Sequence, residues 1–231
     1  MLPKLSFRAN SFLAITPNSV EANISVLVVF DVDSTLIAHE AIEEIADVLG
    51  KREQVAKITE AAMRGEIDFE QSLRQRVKLL AGVTESQLIE ISSEFRINPG
   101  AKQLIEHVHS LGGKACAVSG GFSSLLAGVS KTLNLDDYLA NTLELESGKL
   151  TGNLLPPIID AEAKKQALID WSEKFQIPRE KTVAIGDGAN DLMMLEQAGV
   201  SIGFMPKPVV FEAVEHVLTE PDFRPVIDLL P

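Results

Sequence analysis

The apolar run Leu27-Val28-Val29-Phe30 stops abruptly at Asp31-Val32-Asp33-Ser34-Thr35. It reads as a strand that delivers a pair of carboxylates. Alternate residues of a strand point to the same side, so Asp31 and Asp33 can both reach one small volume beyond the strand's C-terminal end. In open α/β sheets that end is where ligands bind. An Asx-type turn closing a strand would use the same Asp, Ser and Thr chemistry, and this segment alone does not separate the two.

Downstream the pattern turns helical. Ala41, Ile42, Ile45, Ala46, Val48 and Leu49 recur at helical spacing, and Gly50 sits where a helix would end. Phe69, Leu73, Arg76, Val77 and Leu80 mark a second amphipathic helix closed by Gly82, and Thr84-Glu85-Ser86-Gln87 has the form of a capping box. From His39 to Arg96 the chain reads as wholly helical, until Asn98-Pro99-Gly100 breaks it. Beyond the break the elements alternate: a helix over 101–111, a strand over 114–119, a helix from Phe122, and a hairpin around Ser147-Gly148. A helix over 161–175, a strand over 182–186, a helix over 190–198 and a strand over 200–203 follow.

Such alternation means a doubly wound parallel sheet, a Rossmann-like α/β core. The spacing predicts a core of residues 25–38 and 97–231, with 39–96 inserted as a small helical cap at the sheet's C-terminal edge, directly over Asp31 and Asp33. Residues 1–24 form an N-terminal extension to which no role is assigned.

Thr182-Val183-Ala184-Ile185-Gly186-Asp187-Gly188-Ala189-Asn190-Asp191 repeats the design of the first cluster: a buried strand runs into a Gly-rich turn that carries acids. Two strands of one parallel sheet ending this way gather several carboxylates, an arrangement that needs a cation. A hard, oxygen-loving ion such as Mg²⁺ fits, because it takes few protein carboxylates and keeps waters and substrate phosphate as its other ligands. Taken alone, Gly-Asp-Gly also suits a helix-entry turn capped by Asp187 or Asn190. Another strand ends in Ser119-Gly120-Gly121 before a helix, which supplies a hydroxyl and open backbone N–H groups to an anion. Lys164, near the start of the helix after Asp160, can bring a point charge to the same anion.

These four segments, in this order, resemble the haloacid-dehalogenase (HAD) superfamily of aspartate-nucleophile phosphatases from Val26 onward. The stretches Met63 to Val77 and Gly186 to Leu192 are similar to the cap and the second acidic loop of its phosphoserine phosphatase family. The resemblance implies Mg²⁺-dependent hydrolysis of O-phospho-L-serine to L-serine and inorganic phosphate, the last step of serine biosynthesis. It makes Asp31 the nucleophile, forming an aspartyl-phosphate, and Asp33 the general acid and then base. The Asp31 carboxylate, the Asp33 backbone carbonyl and the Asp187 carboxylate would hold Mg²⁺, with Asp191 orienting the metal's waters. Ser119, Gly120, Lys164 and Asn190 would hold the phosphoryl oxygens. The same resemblance puts Glu40 on the substrate ammonium and Arg76 on its carboxylate, where a guanidinium fork bonds both oxygens. Met63 and Phe69 would close over the ligand.

Two rivals keep the chemistry: a phosphotransferase moving phosphate from phosphoserine to homoserine or another alcohol, and a phosphatase for a different small ester. A receiver-like signalling module also phosphorylates an aspartate, but receivers are much shorter, lack a helical cap and have no acid two residues on. A catalytically dead binding protein of this fold would not need both acids, Lys164 and Asp187.

The formal net charge of −12 argues against a nucleic-acid or anionic-lipid partner. The expected partner is a small-molecule substrate, and the expected assembly a monomer or homodimer. Phe12-Leu13-Ala14-Ile15 is too short for a signal-peptide core and nothing approaches a membrane span, so a cytoplasmic protein is expected. Cys116, the single cysteine, sits in an apolar run as a small core residue. His39, His107, His109 and His216 form no ligand pattern, although His39 could line the cap hinge.

Overall fold

A computed structural model describes residues 25–63 and 66–231, without the Met63 side chain. The expectations for residues 1–24 and for the Met63 side chain therefore lie outside the described residues. A seven-stranded sheet runs in the order β4-β3-β2-β1-β5-β6-β7, built from β1 (Leu27–Phe30), β2 (Lys114–Phe122), β3 (Asp137–Glu146), β4 (Lys149–Leu155), β5 (Thr182–Gly186), β6 (Val200–Phe204) and β7 (His216–Leu218). All pairings are parallel except β3 with β4.

Period-2 alternation in β1 divides its side chains between two cores. Val28 and Phe30 pack on one face with Leu104, Ile105 and Val108 of α5 (Ala101–Ser110) and Leu126 and Val129 of α6 (Ser123–Leu133). Leu27 and Val29 pack on the other with Leu168 and Trp171 of α7 (Ala161–Phe175) and Met194 and Leu195 of α8 (Leu192–Gln197). Cys116 is fully buried in this second core, and burial pushes its thiol well above the usual range, as suits an inert packing residue. Parallel strands buried on both faces are the doubly wound architecture expected from the sequence.

Between β1 and β2 come α1 (Ala41–Asp47), α2 (Arg52–Met63), α3 (Phe69–Lys78) and α4 (Glu85–Glu94). The capping box at Thr84 and Gln87 is formed. These helices share a third core, in which Ile45, Leu73, Val77, Leu80 and Leu88 meet Phe122 and Leu125 and the hairpin residues Leu143, Leu150 and Leu154. The hairpin turns at Ser147 and Gly148, both left-handed (φ +51° and +75°), as a two-residue turn matching strand twist requires. The chain leaves and re-enters the sheet through two short paired segments, with Ile37 opposite Ile97 and the Ala38 N–H donating to the Arg96 carbonyl at 3.0 Å.

Three boundaries and one whole strand differ from expectation. β2 continues through Phe122 because its last residues pair onward with β3, so the following helix begins at Ser123. The helix expected over 190–198 opens as a tight turn at Ala189–Asp191 before α8. The first half of β3, Asp137–Thr142, and the short β7 carry no alternating apolar pattern; sheet pairing makes them strands. No described helix is long and apolar enough to cross a membrane.

Candidate active site

β1 and β5 lie side by side in register, with Phe30 opposite Ile185, and the Asp31 N–H donates to the Ile185 carbonyl at 2.8 Å. That pairing brings the two acidic loops together although they lie far apart in sequence. One carboxylate oxygen each from Asp31, Asp187 and Asp191, all buried, lies within 4.8 Å of the others.

Lys164 sits in the first turn of α7, whose side chains tilt toward the helix N-terminus and so toward the sheet edge. Its Nζ donates to Asp31 Oδ1 at 2.5 Å and to Asp191 Oδ1 at 2.7 Å, and the residue is 1% exposed. Burial pulls its ammonium down, but the Asp191 and Asp31 carboxylates outweigh burial and leave it above its usual range. The Asp31 carboxyl is raised well above the usual carboxylate range, by burial first and then by Asp191.

Asp191 is committed to the loop. Its Oδ2 accepts the N–H groups of Asp187 (3.1 Å) and Gly188 (3.0 Å), while Oδ1 takes Lys164. A Cβ on Gly186 would lie 2.6 Å from the Asp191 carboxyl carbon, so glycine is what lets this carboxylate tuck under the turn. Asp187 pairs through Oδ2 with Lys207 Nζ at 3.0 Å, and burial raises its carboxyl despite that pair. One oxygen each of Asp31 and Asp187 is left clear of these lysines. An all-oxygen donor set of this kind suits a hard divalent cation, so the residues present fit such an ion.

Asp33 is anchored at both oxygens: Oδ1 accepts the Ala41 N–H at the start of α1 (2.7 Å) and Oδ2 accepts the Ser119 hydroxyl (2.9 Å). Ser119 Oγ in turn accepts the Gly121 N–H at 2.7 Å. Asn141 holds the neighbouring backbone: its Nδ2 donates to the Gly120 carbonyl (2.9 Å) and its Oδ1 accepts from the Ile159 N–H (2.8 Å). A Cβ on Gly120 would rest 3.5 Å from the Phe69 ring, which places that ring over the loop.

A cavity of about 110 Å³ opens above these groups. Asp31, Asp33, Gly120, Asp187, Asn190 and Lys207 line its floor and sides, and Glu40, Phe69 and Arg76 line it from the helical insertion. Glu40 is exposed by surface area yet lines the cavity, and partial desolvation there, reinforced by Asp33, raises its pKa to about 7. Arg76 is half-buried on α3. Burial lowers its guanidinium from the usual value, and among the described residues its hydrogen bonds, to Ser72 O (3.4 Å) and Thr59 Oγ1 (3.5 Å), are long.

The site residues named from sequence therefore surround one volume: Asp31, Asp33, Glu40, Phe69, Arg76, Gly120, Asp187 and Asn190 on its wall, with Ser119, Lys164 and Asp191 immediately behind. Lys207 and Asn141 were not anticipated. Lys207 follows β6 and donates its own N–H to the Asp187 carbonyl at 2.9 Å, so both its backbone and its side chain bind the second acidic loop. Its only sequence signal is a Lys-Pro step after a strand. Asn141 has no signal at all, since its importance comes from full burial beside a strand end.

The arrangement offers a buried carboxylate, an adjacent carboxyl tied to a hydroxyl, and cations for an anion. Above them stand one acid and one guanidinium.

Comparison with known proteins agrees with this geometry. A family model for haloacid dehalogenase-like hydrolases matches residues 26–199. The chain is 45% identical over 204 residues to a phosphoserine phosphatase of Idiomarina loihiensis, covering 88% of this chain and 93% of that one. It is 43% identical over 204 residues to phosphoserine phosphatase SerB2 of Mycobacterium tuberculosis; there it again aligns over 88% of its length but spans only 50% of the relative. The solved structure of a phospho-aspartyl intermediate analogue of phosphoserine phosphatase superposes with a TM-score of 0.84 at 36% identity, covering 90% of this chain and 99% of that one. On the extent of these matches, the chain belongs to the haloacid dehalogenase-like hydrolases and, within them, to the phosphoserine phosphatase family.

Proposed function

We propose that this chain is a Mg²⁺-dependent phosphoserine phosphatase, hydrolysing O-phospho-L-serine to L-serine and inorganic phosphate as the last step of serine biosynthesis. One observation carries the reading: the cavity sets Asp31, Lys164 and Asp187 beneath a roof that bears both an acid, Glu40, and a guanidinium, Arg76. A phosphomonoester with an ammonium and a carboxylate matches that pattern of charge.

Phosphate monoesters resist hydrolysis, so nucleophile, charge neutralisation and leaving-group protonation must act together. Asp31 attacks phosphorus in line; its oxygen bonds to phosphorus as the bond to the seryl oxygen breaks, and Asp33 gives that oxygen a proton. Water then attacks the aspartyl-phosphate, Asp33 takes its proton, and the Asp31 carboxylate returns as phosphate leaves. The Ser119 hydroxyl, the Gly120 N–H, Lys164 and Asn190 hold the phosphoryl oxygens as charge shifts onto them. Asp31, the Asp33 carbonyl and Asp187 would hold a divalent ion, which would lower the repulsion between an anionic nucleophile and an anionic ester. Asp191, with its oxygens engaged by backbone and lysine, supports that site rather than entering it. Residues 39–96 act as the substrate-recognising cap, with Glu40 on the ammonium, Arg76 on the carboxylate, and Met63 and Phe69 excluding water. The enzyme works in the cytoplasm as a monomer or homodimer on this small-molecule substrate.

Phosphate release from L-phosphoserine with Mg²⁺, ranked against a panel of phosphomonoesters, tests the substrate. A low rank for phosphoserine overturns it, and phosphohomoserine formed in the presence of homoserine would indicate transfer. Asp31→Asn removes turnover while leaving the circular dichroism spectrum unchanged. Substantial activity in that variant removes Asp31 as nucleophile.

A further inference from the structure

Ser34 stands directly after the proposed general acid with a left-handed backbone (φ +57°, ψ +4°), a conformation a serine adopts only when its surroundings impose it. Two bonds accompany it. Its N–H donates to the His39 carbonyl at 3.1 Å, and its hydroxyl donates to Glu40 Oε1 at 2.7 Å. Beside it, Asp33 Oδ1 accepts the Ala41 N–H. The three residues that lead into α1 are thus fastened to the loop that carries Asp33. The N–H bond alone suffices to close that turn. The hydroxyl does something separate, because it fixes one oxygen of a long side chain that otherwise has open solvent on one flank.

We propose that Ser34 is a specificity-determining positioning residue, whose hydroxyl aims the Glu40 carboxylate into the cavity to receive the ammonium of the substrate. The inference rests on the reading of Glu40 as the ammonium's partner. A glutamate has several rotatable bonds, and a ligand that must order them binds less tightly than one that meets a carboxylate already in place. A hydroxyl donor occupies one lone pair of Oε1 and leaves Oε2 free to accept from the ammonium. Because Ser34 adjoins Asp33, the same short loop holds the acid that protonates the leaving group and the support for the group that selects the substrate.

The test compares two substrates of the whole protein: L-phosphoserine, and phosphoglycolate, which keeps the carboxylate but has no ammonium. Ser34→Gly accepts the left-handed backbone and removes the Cβ together with the hydroxyl, while Ser34→Ala removes the hydroxyl alone and keeps the Cβ. Both variants lower the ratio of kcat/KM for phosphoserine over phosphoglycolate about tenfold, mainly through KM, and Ser34→Gly reports even where Ser34→Ala fails to fold. A Ser34→Gly ratio equal to wild type, including an equal fall for both substrates, overturns the proposal. Glu40→Gln separates this from failure of the underlying reading. If Glu40→Gln lowers the ratio and Ser34→Gly does not, Ser34 has no such role; if Glu40→Gln leaves the ratio unchanged, Glu40 is not the ammonium's partner and both fall. Where both single variants lower it, the double variant shows no further loss than Glu40→Gln alone, since the hydroxyl acts through that carboxylate.

Discussion

Replacing Lys164 with methionine isolates the electrostatic role of the buried ammonium, because methionine keeps an unbranched stem in the same packing and removes every N–H donor. In the native protein Nζ bonds Asp31 at 2.5 Å and Asp191 at 2.7 Å, with the lysine and both acids at most 3% exposed. Removing one partner of a buried ion pair costs about 3–5 kcal/mol, because the remaining charge is left uncompensated. Here two carboxylates lose the same cation and face each other, so a loss near 5 kcal/mol is expected, set against a total stability of about 5–15 kcal/mol for a domain. Urea unfolding in EDTA at pH 8, followed by circular dichroism, measures the difference. The variant unfolds at a much lower urea concentration, and adding Mg²⁺ narrows the gap as a second cation takes over part of the neutralisation. Coincident unfolding curves in EDTA would refute the claim that Lys164 neutralises this cluster.

Other consequences follow from the same geometry. With its pKa near 7, Glu40 loses its charge as pH falls: one unit below that value only about a tenth of it remains ionised, so kcat/KM for phosphoserine drops more steeply on the acid side than kcat/KM for phosphoglycolate. Glu40→Gln removes that excess slope, and matching profiles for the two substrates in the wild-type protein would contradict it. In Gly121→Ala the new Cβ would lie 2.7 Å from Asp33 Oδ2 and 2.9 Å from Ser119 Oγ, so kcat falls at least about 100-fold with the fold retained; near-native kcat would show that Asp33 tolerates displacement. Asn141→Leu strips partners from the Gly120 carbonyl and the Ile159 N–H, lowering unfolding stability by about 2–4 kcal/mol in urea titrations and weakening inhibition by inorganic phosphate.

Legibility of this protein from its sequence followed burial. β1 and β5 are continuous apolar runs with acids at one end, and fully buried strands of a parallel sheet announce themselves in that way. Once two such strands share a sheet, their terminal acids must converge, so the sequence alone brings Asp31, Asp33 and Asp187 to one end of it. Glu40, Phe69 and Arg76 were another matter. Their spacing is that of ordinary helix residues, and only similarity to a known family singled them out; the fold then shows all three facing the cavity. Lys207 has no local pattern to mark it, because this surface-type lysine acquires its partner Asp187 only when β6 pairs beside β5. Asn141 lies on a stretch without alternation, Asp137–Thr142, whose strand character comes from pairing with β2.

The hairpin of β3 and β4 bears on how a ligand reaches this site. The loop between α3 and α4 joins it as an improvised extra strand: Gly82 N–H to Leu150 O at 2.9 Å, Leu150 N–H to Val83 O at 2.8 Å, and Glu85 N–H to Gly148 O at 3.0 Å. Together with the Ile37 and Ile97 pairing, this makes the helical roof an arch standing on two piers instead of a door on one hinge. A roof tied down at two places has no free end on which to swing as one rigid lid, so a ligand's way in does not depend on lifting it whole from the sheet.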